Sequence, residues 1–136
     1  MNRIEYSRKY AALRIIVFLL WLGGVLWLSL TPKLPRLSSD FFFHLSWDKM
    51  QHAGAYALTT LLAGQVFVLF SRTPRRAWFV AAAFAIVYGG LMEIAQGLLT
   101  EVRHAQFEDM LANVCGVGIS LTGALVWLRL LERRKL

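Results

Sequence analysis

Four stretches of this chain are long and apolar enough to cross a lipid bilayer, which removes most of the folds open to a sequence of this size. They run over Ala11 to Leu30, about Gln51 to Phe70, Ala77 to Leu99 and Leu111 to Leu131. The hydrocarbon core is about 30 Å thick, and a helix rising about 1.5 Å per residue needs about 20 apolar residues to cross it. An isolated strand leaves its backbone donors and acceptors unsatisfied in lipid, and a barrel would show shorter segments of alternating polarity. The chain is therefore expected to be all-α: a bundle of four transmembrane helices, forming one membrane domain over residues 1–136. A hydrophobic content of 57% against 17% charged residues agrees with that class.

The formal net charge of +7 would point to nucleic acid in a soluble chain, but its distribution points elsewhere. Basic residues gather at the N-terminus (Arg3, Arg8, Lys9, Arg14), in the second connection (Arg72, Arg75, Arg76) and at the C-terminus (Arg129, Arg133, Arg134, Lys135). The aromatic residues lie in the apolar stretches and not among these charges, so membrane lipid is the expected partner and nucleic acid is not. By the positive-inside rule both termini are cytoplasmic, and the first and third connections lie outside. The basic residues ahead of the first stretch also fit a signal peptide. The run is as long as a spanning helix, however, and Ser29-Leu30-Thr31-Pro32-Lys33 after it offers no small-x-small site, so an uncleaved anchor is expected. Pro32 and Pro35 end that helix, and the aromatic run Phe41-Phe42-Phe43-His44-Leu45-Ser46-Trp47 suits the headgroup region. The lone Cys115 supports neither a disulfide nor a metal pattern, and is expected in a helix interface.

Polar residues inside the apolar stretches carry the functional signal. Glu93 lies well inside the third stretch, with Gln96 after it and Gly89 one turn before it on the same face. A charge near the bilayer centre costs about 3 kcal/mol on insertion scales, so Glu93 needs a partner. Asp48, His52 and Tyr56, spaced four apart, form one stripe at the head of the second helix, beside Lys49. Asp109, Asn113, Gly116 and Ser120 share a face of the fourth helix, where the small pair Gly116 and Ser120 admits close approach of another helix. Gly118 and Gly123 are expected to pack in the same way, and Gly23-Gly24 to give a close contact or slight bend in the first helix. Three helices thus bring polar stripes to one, outer, half of the bundle, with Arg103 in the connection between the last two.

The order and spacing of Asp48-Lys49-x-x-His52-x-x-x-Tyr56, then Glu93-x-x-Gln96, Arg103 and Asp109-x-x-x-Asn113-x-x-Gly116, resembles the VanZ-like family of small bacterial membrane proteins. The likeness covers about Asp48 to Ser120. Where that family has a short Gly- or Ser-containing turn after the Arg, this chain has His104-Ala105-Gln106-Phe107-Glu108. The resemblance implies a multi-pass protein of the bacterial inner membrane with a role in the cell envelope, since the family's namesake is linked to teicoplanin resistance. It brings no settled chemical activity and no cofactor with it.

The residues leave several functions open. In a binding or transport module, Arg103 and Lys49 would hold an anionic group, such as a lipid-linked precursor's phosphate or an antibiotic's carboxylate. Gln96, Asn113 and Tyr56 would join them in binding the ligand, and Glu93 would order the pocket. Arginine suits that task because its planar fork meets phosphate or carboxylate in two parallel bonds. In an intramembrane enzyme, His52 would serve as acid/base, oriented by Asp48 or Asp109, with Glu93 as a second acid/base. No nucleophile stands beside the histidine in sequence. A metal centre of Asp48, His52, Glu93 and Asp109 is a variant of that idea, weakened by the lack of a His-Glu-x-x-His pattern. A small transporter would use Glu93 as a proton-coupled site, although no internal repeat is visible. In a purely structural role, a Glu93–Arg103 pair and an Asp48–His52 bond would fix helix packing.

Overall fold

Proline and threonine chemistry sets the helix boundaries. A computed structural model describes residues 10–31, 47–99 and 107–134, and among these every regular element is a helix: α1 (Ala11–Leu30), α2 (Trp47–Phe67), α3 (Pro74–Leu99) and α4 (Phe107–Arg133). The α1 helix stops at Thr31, which is extended at ψ 118°, as expected of a residue that precedes a proline. Pro74 occupies the first position of α3, where its missing N–H costs no helical bond. Thr73 Oγ1 accepts the Arg76 N–H at 3.4 Å just ahead of it. Asp48 in the first turn of α2, and Glu108 and Asp109 in that of α4, complement the helix dipoles.

Two helix starts matter for the site. Both α2 and α4 begin about a turn ahead of the expected apolar spans; Asp48, Lys49 and Asp109 ride on them as the polar stripes expected, and Glu108, expected in the connection, joins the first turn of α4.

Three helices, α1, α3 and α4, are long and apolar enough to cross a membrane. The fourth expected span, α2, has the length at 21 residues but carries Gln51, His52, Thr59, Thr60 and Gln65. It is the helix against which the other three pack, while α1 and α4 do not meet each other. Its polar groups are satisfied locally: Thr59 and Thr60 donate to the carbonyls of Ala55 and Tyr56 at 2.9 and 2.8 Å. Thr59 Oγ1 also accepts the Trp21 indole N–H at 2.9 Å, and Tyr88 donates to the Leu22 carbonyl at 2.7 Å. The first helix is therefore tethered by hydrogen bonds that a reading of it as a plain apolar anchor did not anticipate.

The α2–α4 contact is the closest in the bundle. A methyl group at Gly116 would overlap the Ala53 backbone carbonyl, and one turn on, Ser120 donates to the Ala57 carbonyl at 2.8 Å. Gly116 and Ser120 thus act as the sequence reading expected. Gly118, Gly123, Gly23 and Gly24 do not, since each faces open space. Cys115 is likewise exposed and not in an interface, because it lies off the α4 face that carries Asn113, Gly116 and Val117.

Below this contact the core is aromatic. Phe18, Phe67 and Phe84 meet with centroids 5.7 to 6.2 Å apart, and Phe84 stacks on Tyr88 at 6.0 Å. Outward, α1 exposes Leu13, Ile16, Leu19, Leu20 and Trp27, and α3 and α4 expose Phe79, Val87, Leu91, Ile119 and Trp127. An apolar exterior around a partly polar interior suits lipid as solvent.

The helices alternate in direction, which sorts the charges between the two ends. At one end Arg14 lies 3.5 Å from the Gln65 carbonyl, and Arg75 pairs with Glu132 at 2.7 Å. The other end holds Asp48, Lys49 and His52 of α2, Glu93 and Gln96 of α3, and Glu108, Asp109 and Asn113 of α4.

Candidate functional site

His52 is the centre of that second end, because its ring reaches both neighbouring helices. Nδ1 lies 3.1 Å from Asn113 Oδ1 on α4 and 3.7 Å from Glu93 Oε1 on α3. Nε2 faces Asp109 Oδ2 on α4 at 3.7 Å. Both atoms beside Nδ1 are acceptors, so Nδ1 is placed to donate to Asn113, and Nε2 is left facing Asp109. His52 is part-buried, whereas Glu93 and Asp109 are each 6% exposed and Asn113 is 2% exposed. Among the described residues, Asn113 Nδ2 has no hydrogen-bond partner.

Gly89 makes room for this arrangement. A methyl group there would come within 3.0 Å of the Tyr56 ring and 3.3 Å of Asn113 Nδ2, so α3 approaches α2 and α4 closely one turn before Glu93. Tyr56, the third member of the α2 stripe, is buried beneath His52 with its ring 6.4 Å from that of Tyr88. It floors the cluster and is not at its mouth. Gln96 is buried on the Glu93 face of α3.

Lys49 is already engaged. Its ammonium is 2.7 Å from Glu108 Oε2 and 3.2 Å from Asp109 Oδ1. The Glu108 carboxylate first, and Asp109 with it, hold it above the ordinary lysine range against the lowering effect of burial. Glu108 was passed over in the sequence reading, which left it in the connection. Its position directly before Asp109, on the side of the chain that holds Lys49, was the available signal. Asp48 is exposed and offers a carboxylate oxygen within 4.8 Å of the nearest His52 and Asp109 ligand atoms. The expected Asp48–His52 hydrogen bond is not formed; the His52 contacts run to α3 and α4 instead.

Of the expected site residues, the structure brings together Asp48, Lys49, His52, Glu93, Asp109 and Asn113. Arg103, the expected first partner of Glu93, lies outside the described residues, as does the aromatic run before Trp47. The described cluster holds four carboxylates (Asp48, Glu93, Glu108, Asp109) against the Lys49 ammonium and one imidazole. Such a set can hold or pass protons and attract cations; an anion approaching it needs additional positive charge.

Fold and site together define a helical membrane protein with a buried carboxylate–imidazole–amide cluster at one end of its bundle. No protein-family model, no curated protein and no solved structure matches the chain.

Proposed function

We propose that this chain is a VanZ-like multi-pass protein of the bacterial cytoplasmic membrane whose extracytoplasmic site binds an anionic, lipid-linked envelope precursor or a glycopeptide-type antibiotic. All four helices span the bilayer. The α2 helix crosses despite its polar residues because the other three shield it, and the arginine-rich end faces the cytoplasm with both termini. The observation that carries the reading is the meeting of His52, Glu93, Asp109 and Asn113 from three helices at the end away from the arginines. Fixing helix register needs one polar pair; a cluster of this size, desolvated in lipid, is costly unless it is used.

Within this proposal Arg103, carried on the connection between α3 and α4, meets the anion with its guanidinium fork, while Lys49 and Asp109 shape the rim. A role in susceptibility to envelope antibiotics such as teicoplanin follows. The test is binding of a polyprenyl phosphate lipid to the protein in nanodiscs, compared with zwitterionic lipid. Wild type is expected to prefer the phosphate lipid, and Arg103→Ala to weaken it about tenfold or more, since a charged hydrogen bond contributes about 1.5–3 kcal/mol. Equal binding of both lipids by wild type would remove the reading.

A second reading, an acid/base enzyme acting on the same lipid phosphate, is favoured by the placing of His52 between Asn113 and two carboxylates. Turnover that is lost in His52→Ala, with lipid binding retained, would select it over binding alone.

A further inference from the structure

The geometry points to a divalent transition-metal site, of the kind zinc or manganese fills, formed by Asp48, His52 and Asp109. These three residues each bring one ligand atom within 4.8 Å of the others, from two helices. Asp48 and His52 share a face of α2, and Asp109 reaches across from the first turn of α4.

Two further features separate this set from an ordinary acidic surface. One is the state of His52. With Nδ1 placed to donate to Asn113 Oδ1 at 3.1 Å, Nε2 is turned toward Asp109 Oδ2, 3.7 Å away. A proton on Nε2 or a cation between the two atoms satisfies that approach. A metal-bound histidine is commonly fixed in this manner, its second nitrogen donating to a carbonyl or carboxylate in the layer behind it. The other feature is Asp109. Its side chain is more than nine-tenths buried, Lys49 occupies Oδ1, and Oδ2 is aimed at His52 Nε2.

The distances suit such an ion. At about 2.1 Å from both atoms it would span the 3.7 Å between Nε2 and Oδ2 at an angle of about 125°. The separations to Asp48 close by a turn of its exposed carboxylate. One imidazole and two carboxylates form a borderline-hard set that favours zinc or manganese over calcium or magnesium, and three protein ligands leave a position open. Glu93 is outside the set, since it faces Nδ1 and not Nε2.

The metal's role rests on the function proposed above. An ion in the open-sided site would supply the positive charge that an acidic cluster lacks, so a lipid phosphate could be its fourth ligand. The site itself is tested without lipid. Full-length protein in detergent is loaded with zinc or with manganese, passed through a desalting column and measured by elemental analysis and thermal melting. Wild type is expected to keep about one equivalent and to melt at a higher temperature when loaded. His52→Ala and the exposed-site variant Asp48→Asn are expected to lose both effects. Asn113→Ala, which removes only the positioning bond, is expected to bind about ten- to a hundredfold more weakly. Glu132→Gln, at the opposite end of the bundle, should bind as wild type.

Absence of bound metal and of any melting shift in wild type would overturn the site. Metal retained equally by His52→Ala and Asp48→Asn would also overturn it. Lipid-phosphate binding, followed in the same preparations with and without chelator, tests the proposed function separately. Loss of that binding from metal-loaded wild type would count against the function and not against the site.

Discussion

His52 joins three helices through one ring, and the Asn113 amide decides which of its nitrogens is the donor. Asn113→Leu removes that acceptor while filling the space, and is expected to lower stability by about 1 kcal/mol, read as a lower melting temperature in detergent. Its larger effect should fall on His52: the ring-nitrogen NMR shifts, which report the hydrogen bonding of each nitrogen, should change in Asn113→Leu and stay unchanged in Glu132→Gln. At this scale the sequence was informative about faces. The spacing of Asp109, Asn113, Gly116 and Ser120 named the α4 face that is buried, and Gly89, Glu93 and Gln96 named that of α3. It was less informative about partners, because spacing along one helix does not say which group on a second helix is level with it. Hence His52 was offered Asp48 on its own helix as well as Asp109 across the bundle, and it meets Asp109, together with Asn113 and Glu93. Lys49, expected to hold an anion, is instead saturated by Glu108 and Asp109.

Among the elements, α2 departs most from expectation and is the helix on which the fold depends. Hydropathy alone treats its threonines and glutamines as a weak span, while its contacts make it the axis of the bundle. Which of several adjacent glycines permits close approach is a matter of helix rotation, and that is set by the whole bundle and not by local sequence. Gly116 touches the Ala53 backbone, whereas Gly118, two residues on, faces open space. Gly116→Leu is therefore expected to destabilise by about 1–3 kcal/mol or to block folding, while Gly118→Leu leaves the melting temperature near that of wild type. Equal effects would contradict the packing described. The tether from α1 makes a smaller claim: Trp21→Phe loses the bond to Thr59 and should cost about 0.6 kcal/mol, the average for such bonds between membrane helices. A tryptophan within an apolar run needs an acceptor for its indole N–H, and that was the sequence signal for this bond.

For the whole molecule, the separation of charge between its two ends is the feature that gives the site a side. Arg14 and Arg75 stand at one end and Asp48, Lys49 and Asp109 at the other, so orientation in the membrane and accessibility of the cluster are one question. On the function proposed above, the cluster opens to the extracytoplasmic side, where envelope precursors and antibiotics are met. Single cysteines introduced as Asp48→Cys and Ser71→Cys, each in a Cys115→Ser background, test it in intact cells with a membrane-impermeant maleimide. Labelling is expected at position 48 without permeabilisation and at position 71 only after it; the reverse pattern would rule out that orientation.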